Sequence, residues 1–239
     1  DVYKRQDDIW WREKSCKGAA IQYFFLSSGK RYGKMKQKTI QNQTTKRKRD
    51  HDMKYMFASD IHGSAHYCRK MLEVYRQSGA ERLVLLGDLL YHGPRNDLPE
   101  GHAPKKVIAM LNPMKPQLMC VRGNCDTEVD QMVLDFPILA DYALLYAGSR
   151  TVFATHGHHY NTACPPPLAK GDILLHGHTH VPAWQEFGSG NLYLNPGSVA
   201  IPKENSAHSY MMLTDSGFAW KDLEGSIYHT LALDCPNCG

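Results

Sequence analysis

The sequence predicts an α/β domain with antiparallel structure added in its second half. Two observations point there. Short apolar runs alternate with stretches of helical period from residue 54 to residue 111, the pattern of parallel strands joined by crossover helices. In addition, five apolar runs along the chain stop at clusters of Asp, His and Asn. Ligands of open α/β sheets lie outside the carboxyl ends of the strands, so five such ends in one chain point to a shared site.

The elements follow in order. KYMFAS (54–59) is the first strand and DIHGS the turn after it. From Ala65 to about Gln77 the chain reads as a helix, with Met71, Leu72 and Tyr75 on one face. RLVLLGD (82–88) is a second buried strand. HGPRNDLPEGHAP is loop, and its last residue, Pro104, takes the first helical position before KKVIAML. QLMCVRGNCD (117–126), TVFATHGHHY (151–160) and DILLHGHTH (172–180) are three more strands with polar ends. NLYLNPGS and SYMMLTDSGFAW read as further strands around Gly-containing turns.

A chain of 239 residues, 42% apolar, can bury one sizeable core. No apolar stretch reaches the length of a membrane span and no secretory signal pattern is present, so no membrane partner is expected. Seven scattered cysteines, an odd number, fit a reducing compartment and a cytoplasmic protein. The net charge of +4 misleads, because residues 1–52 hold 14 of the 28 Lys and Arg but only 6 of the 24 Asp and Glu. The rest of the chain is mildly acidic, which argues against stable nucleic-acid binding. The opening DVYKRQ matches a direct translation of the transposon end used in sequencing-library preparation. Residues 1–52 are therefore expected to be a disordered or artefactual leader, adapter-derived and upstream sequence, with the native start at Met53 or Met35. A basic localisation or RNA-binding arm is the other reading of KRKR. The working domain is expected over 53–234 and a frayed tail over 235–239, where Cys235 and Cys238 could otherwise share an intermolecular zinc ion.

The strand ends supply Asp60, His62, Asp88, Asn124, His156, His178 and His180. Carboxylates, imidazoles and one amide, with no thiolate needed, suit Mn²⁺, Fe or Zn²⁺. Seven candidates exceed the needs of one ion and match two ions sharing a carboxylate, an arrangement typical of enzymes that cleave phosphate esters.

DIHG, GDLLYHG, GNCD, THGH and GHTH, in that order, resemble the calcineurin-like metallophosphoesterases. MFASDIHGS, HGPRN, LPEG, VRGNCDTEVDQM and NPGSVAIPK are similar to one branch of that family, the bacterial YfcE-type phosphodiesterases. The resemblance runs from Met53 to roughly Ala232. It implies a four-layer sandwich, two mixed β-sheets flanked by helices. It implies that Asp60, His62 and His180 hold one ion, that Asn124, His156 and His178 hold a second, and that Asp88 bridges them. The ions would be Mn²⁺, with Zn²⁺, Fe or Ni²⁺ as alternatives, and a bridging hydroxide would attack a small-molecule phosphodiester in line. Gly177 would let the backbone turn between His176 and His178. His176 falls outside the motif and reads as structural; His158 and His159 read as supporting or surface residues.

Three further residues are candidates for catalysis. Arg95 could counter charge on the phosphoryl oxygens, while Arg122 reads as structural. His92 could orient Asp88 or meet substrate, or be a solvated loop residue. Cys125 stands where many relatives in the wider superfamily carry a histidine that protonates the leaving group. A thiol titrating near 8.5 is a poor acid at neutral pH, so diesters with good leaving groups are expected to be preferred. Cys68 and Cys120 read as core residues. The alternatives are a phosphomonoesterase or nucleotide hydrolase on the same fold, and a non-catalytic scaffold similar to the retromer subunit of this fold. A homo-oligomer is also possible.

Overall fold

The computed structural model describes residues 54–233; the expected leader and the terminal Cys pair lie outside the described residues. The elements in chain order are β1 (Tyr55–Ala58), α1 (Ala65–Ser78), β2 (Arg82–Leu85), α2 (Pro104–Leu111), a 3₁₀ turn (Asn112–Gln117), β3 (Leu118–Cys120) and α3 (Glu128–Gln131). Then come β4 (Tyr142–Ala147), β5 (Arg150–Thr155), β6 (Ile173–His176), β7 (Ala183–Phe187), β8 (Asn191–Asn195), β9 (Ser209–Thr214), β10 (Gly217–Asp222) and β11 (Ile227–Ala232).

Local chemistry sets the helix ends. Ser64 caps α1 by accepting from the Tyr67 amide, and Gly79 ends it in the left-handed region that favours glycine. Pro104 opens α2, where its missing N–H costs nothing. Each helix carries the chain back between parallel strands, so β1, β2 and β3 lie side by side in parallel. The later strands extend this sheet on the other side of β1, giving the order β11-β10-β9-β1-β2-β3 with antiparallel pairing from β1 outward. The second sheet has the order β4-β5-β6-β8-β7, parallel at its centre and antiparallel at both edges.

Strand alternation sorts the core into two layers. Met56 and Ala58 of β1 face α1 and α2, packing on Cys68, Met71, Leu72 and Val107. Phe57 and Val84 face the other way, into a layer with Val152, Ile173, Leu194 and Trp220 between the sheets. On the far side of the second sheet, Phe153 stacks on Tyr142 and meets the edge of Tyr160. Two mixed sheets with flanking helices are thus what the chain forms, as the sequence predicts. No helix among the described residues is long and apolar enough to cross a membrane.

The sequence reading did not anticipate β4, β7 and β11. All three are edge strands, so one side of each meets solvent. In β4 the apolar side chains of Tyr142, Leu144 and Tyr146 are the exposed ones, which hides the usual inside–outside pattern.

The sheets are tied together at Trp220, fully buried, whose indole N–H donates to the Asn195 carbonyl at 2.7 Å. Trp220→Phe keeps most of the apolar packing but leaves that carbonyl without its donor. The expected loss is about 1–3 kcal/mol in a urea titration, with an unchanged slope.

Candidate metal centre

The site forms where the carboxyl ends of β1, β2, β5 and β6 meet. Asp60 and His62 follow β1, Asp88 follows β2, His156 follows β5, and His178 and His180 follow β6. Asn124 and Cys125 enter from the turn after β3. All seven sequence-predicted ligands therefore converge on one place.

The imidazoles are held in defined orientations. His62 Nδ1 lies 2.7 Å from the Tyr91 carbonyl, His156 Nδ1 2.6 Å from that of Leu86, and His180 Nδ1 2.6 Å from that of Ile201. A carbonyl can only accept, so each Nδ1 carries a proton and each ring turns Nε2, the nitrogen that can bind a metal once it has no proton, into the site. There His62 Nε2 and His180 Nε2 face each other at 3.4 Å. Asp60 Oδ1 is 3.6 Å from the first and 3.4 Å from the second, and this buried oxygen has no hydrogen-bond partner. Two ring nitrogens and a buried, unpartnered carboxylate oxygen converging at these distances fit a bound cation.

A second group adjoins it. Asp88 Oδ2 lies 3.7 Å from His62 Nε2 and 3.5 Å from His156 Nε2, between the two sets. His156 Nε2 is also 3.0 Å from Asn124 Oδ1 and 3.2 Å from His178 Nδ1. Burial penalises charge throughout. It would raise the Asp60 and Asp88 pKa values, but the neighbouring imidazoles outweigh it and hold both carboxyls below their ordinary values. Burial would lower His156, yet Asp88 and Asp60 push it up to about 9. His178 and His180 are both shifted down, mainly by burial.

The backbone is strained at the same places. Asp60, His62, Asp88, His178 and His180 all have left-handed backbones, with φ between 48° and 67°. Non-glycine residues adopt this region at a cost of about 1–2 kcal/mol each, and such strain gathers at functional sites. Gly177 is not among the left-handed residues, contrary to the expectation that it provides the turn. It is needed because a Cβ there would overlap the Ser59 hydroxyl, and the residues that turn are His178 and His180 themselves.

Two supports were missed by sequence reasoning. Buried Asp126 accepts from the amides of Asp88, Leu89 and Gly123 at 2.8, 2.9 and 2.7 Å, locking the β2 and β3 ends together. The signal was its place in GNCD, beside two residues already singled out. Asn195 and Ser198, in NPGS, brace the other side: Asn195 Nδ2 donates to the Gly177 carbonyl and Ser198 Oγ to that of Asp60.

The remaining candidates divide. Arg95 and Cys125 line a cavity of about 460 Å³ that opens on the site. The Cys125 thiol accepts from Asn124 Nδ2, and burial and the nearby carboxylates, Asp88 foremost, push its pKa far up. His92 does not line this cavity; its ring packs edge-on against Tyr91 and His102. His176 is buried under the site, stacked on Tyr193, and burial takes its pKa down to about 4. His158 lies beside His156 and His178 at ring distances of 5.4 and 6.3 Å, and His159 is exposed. Arg122 holds the turn, donating to the Asp126 carbonyl. Cys68 and Cys120 are buried in the helix-side core.

A two-sheet sandwich with a cluster of carboxylates and imidazoles able to hold a cation at its strand ends is the architecture of a metal-dependent phosphoesterase. The chain belongs to the calcineurin-like phosphoesterase superfamily, whose domain matches residues 53–216. It is 50% identical over 161 residues to "Phosphodiesterase YfcE" of Escherichia coli K12, covering 67% of this chain and 87% of that protein. The solved structure of that E. coli phosphoesterase superposes with a TM-score of 0.73 at 46% identity, over 76% of this chain and 100% of that one. Vacuolar protein sorting 29 from Cryptosporidium parvum matches with a TM-score of 0.50 at 16% identity, over 77% of this chain and 100% of that one, a likeness of fold alone. The family implies divalent metal ions, and the clustered donors here fit them.

Strain at a half-exposed position can be measured directly. His178→Gly removes the penalty of a left-handed Cβ, so the metal-stripped variant is expected to be about 1 kcal/mol more stable than the metal-stripped parent. Equal or lower stability in a denaturant titration would show that His178 is not strained.

Proposed function

We propose that the chain is a metal-dependent phosphodiesterase that hydrolyses a small-molecule diester at two divalent ions. The observation that carries this is Asp88, whose Oδ2 lies within 3.7 Å of imidazoles from both groups, where a shared ligand belongs. On this reading Asp60, His62 and His180 hold one ion and Asn124, His156 and His178 the other. The printed name of the E. coli relative supports the reaction class. Carboxylate, imidazole and amide donors suit Mn²⁺, and the described cysteines, all free, suit the cytoplasm.

When bound, the ions polarise phosphoryl oxygens and lower the pKa of water. The protein supplies the rest. Arg95, on the cavity wall, counters charge on the phosphoryl group. His92 acts through the loop: its carbonyl accepts from Asn96 Nδ2, which fixes the segment carrying Arg95. Cys125 keeps its proton, so it is no thiolate nucleophile, and as a weak acid it gives a leaving group little help. Diesters with good leaving groups are favoured over alkyl monoesters.

The test uses the full chain and a version starting at Met53, both stripped of metal and titrated with Mn²⁺. The substrates are a nitrophenyl diester and the matching monoester. Activity returning in both versions, at least about tenfold higher on the diester and absent in His178→Ala, is the expected result. A folded protein inert with every divalent ion would overturn the reading and favour a scaffold.

Proton release gives a second check. With His156 at about 9, metal binding near pH 7 must displace its proton, so affinity rises with pH until about 9. Calorimetry in buffers of different ionisation enthalpy should find about one proton released per protein. Metal binding with no proton release would count against His156 as a ligand.

A further inference from the structure

Among the described residues, seven other than glycine have left-handed backbones, and five of them are the candidate metal ligands. The other two, Glu204 and Asn205, at φ 55° and 56°, are consecutive. They form the centre of a tight turn closed by the Ser206 amide donating to the Lys203 carbonyl at 3.0 Å. Two left-handed central residues define a type I′ turn, a geometry usually given to Asn-Gly; here Glu and Asn adopt it. Strain of this kind persists where the surroundings impose it, and here it sits beside Lys203, itself exposed.

The turn fixes Lys203. Its carbonyl also accepts from Ser206 Oγ at 2.7 Å, and its amide donates to the His180 carbonyl at 3.2 Å. Two residues earlier, the Ile201 carbonyl receives His180 Nδ1. The segment therefore grips one candidate ligand by both ring and backbone while presenting Lys203 to the cavity. That cavity is lined by Lys203 together with Arg95, Asn124, Cys125, His178 and His180. Among the described residues no carboxylate forms an ion pair with the Lys203 side chain, which leaves its charge available to an anion in the cavity.

We propose that Lys203 is a substrate-binding residue, its ammonium contacting a phosphoryl oxygen of the bound diester from the wall that also carries Arg95. The inference rests on the phosphodiesterase reading and adds the group that captures the substrate anion. An ammonium already close in the ground state adds to binding of substrate and transition state alike, so its loss raises KM more than it lowers kcat.

The experiment compares the full-length, Mn²⁺-loaded protein with Lys203→Gln, a shorter polar side chain without the charge, and Lys203→Arg. Lys170→Ala, an exposed lysine far along the chain, is the control. Steady-state kinetics on the nitrophenyl diester run beside calorimetric titration with inorganic phosphate and a separate Mn²⁺ titration. The expected result for Lys203→Gln is a KM and a phosphate Kd each raised about tenfold, kcat within about threefold, and unchanged Mn²⁺ affinity. Lys203→Arg should recover most of the loss. Wild-type KM and phosphate Kd in Lys203→Gln would overturn the inference while leaving the phosphodiesterase intact. Weakened Mn²⁺ affinity would overturn it too, by making Lys203 a mere support for His180. An inert wild type would remove the phosphodiesterase reading and this inference together.

Discussion

The structure is organised around ring nitrogens and a carboxylate gathered at one buried point. His62 and His180 turn Nε2 toward each other and toward a buried oxygen of Asp60, all within 3.6 Å. Bringing such polar groups together in a protein interior costs the desolvation of each. The cluster holds because each ring is pinned by a hydrogen bond to a main-chain carbonyl on its other nitrogen. Preorganisation of this kind shifts the cost of assembling a cation site from the moment of binding to the moment of folding.

The fold supplies the rigidity that this demands. Both sheets bring parallel strands to the same end, so loops from β1, β2, β5 and β6 meet over a short distance. Asp126 ties the β2 and β3 ends, and Asn195 and Ser198 tie the β1 and β6 ends. The left-handed backbones at Asp60, Asp88 and His178 are affordable only because these clamps leave the loops no relaxed alternative. Core packing between Phe57 and Trp220 carries the same constraint into the body of the domain.

Much of this was legible in the sequence, for identifiable reasons. Apolar runs ending in Asp60, Asp88 and His178 declare both a buried strand and the polar site beyond it, because burial and chemistry change at one residue. The edge strands β4, β7 and β11 carry no such signal; their pairing is decided by partners far along the chain. Asp126 stood in the GNCD motif but was passed over, because its role is to accept from main-chain amides and its partners do not show in residue type. Lys203 was hidden more deeply. Lys203 closes the NPGSVAIPK motif, but the motif assigns it no role, and its significance lies in the dihedral angles of the two residues that follow. Gly177 shows the converse: the residue was noticed, but close approach of the Ser59 hydroxyl, not chain reversal, requires it.

Charge orders the events at the site. Without ions the carboxylates of Asp60 and Asp88 are held ionised by neighbouring imidazoles, and those carboxylates in turn hold a proton on His156, so the charges there offset one another. Arg95 and Lys203 stand on the wall of the adjoining cavity. On the proposed reading, divalent ions would replace that proton and add positive charge, so that wall and floor would act on a phosphodiester in the same direction. Substrate capture would then be strongest in the metal-loaded protein. The thiol of Cys125 is kept neutral for a different reason. Burial first, and then the Asp88 carboxylate beside it, oppose a thiolate there.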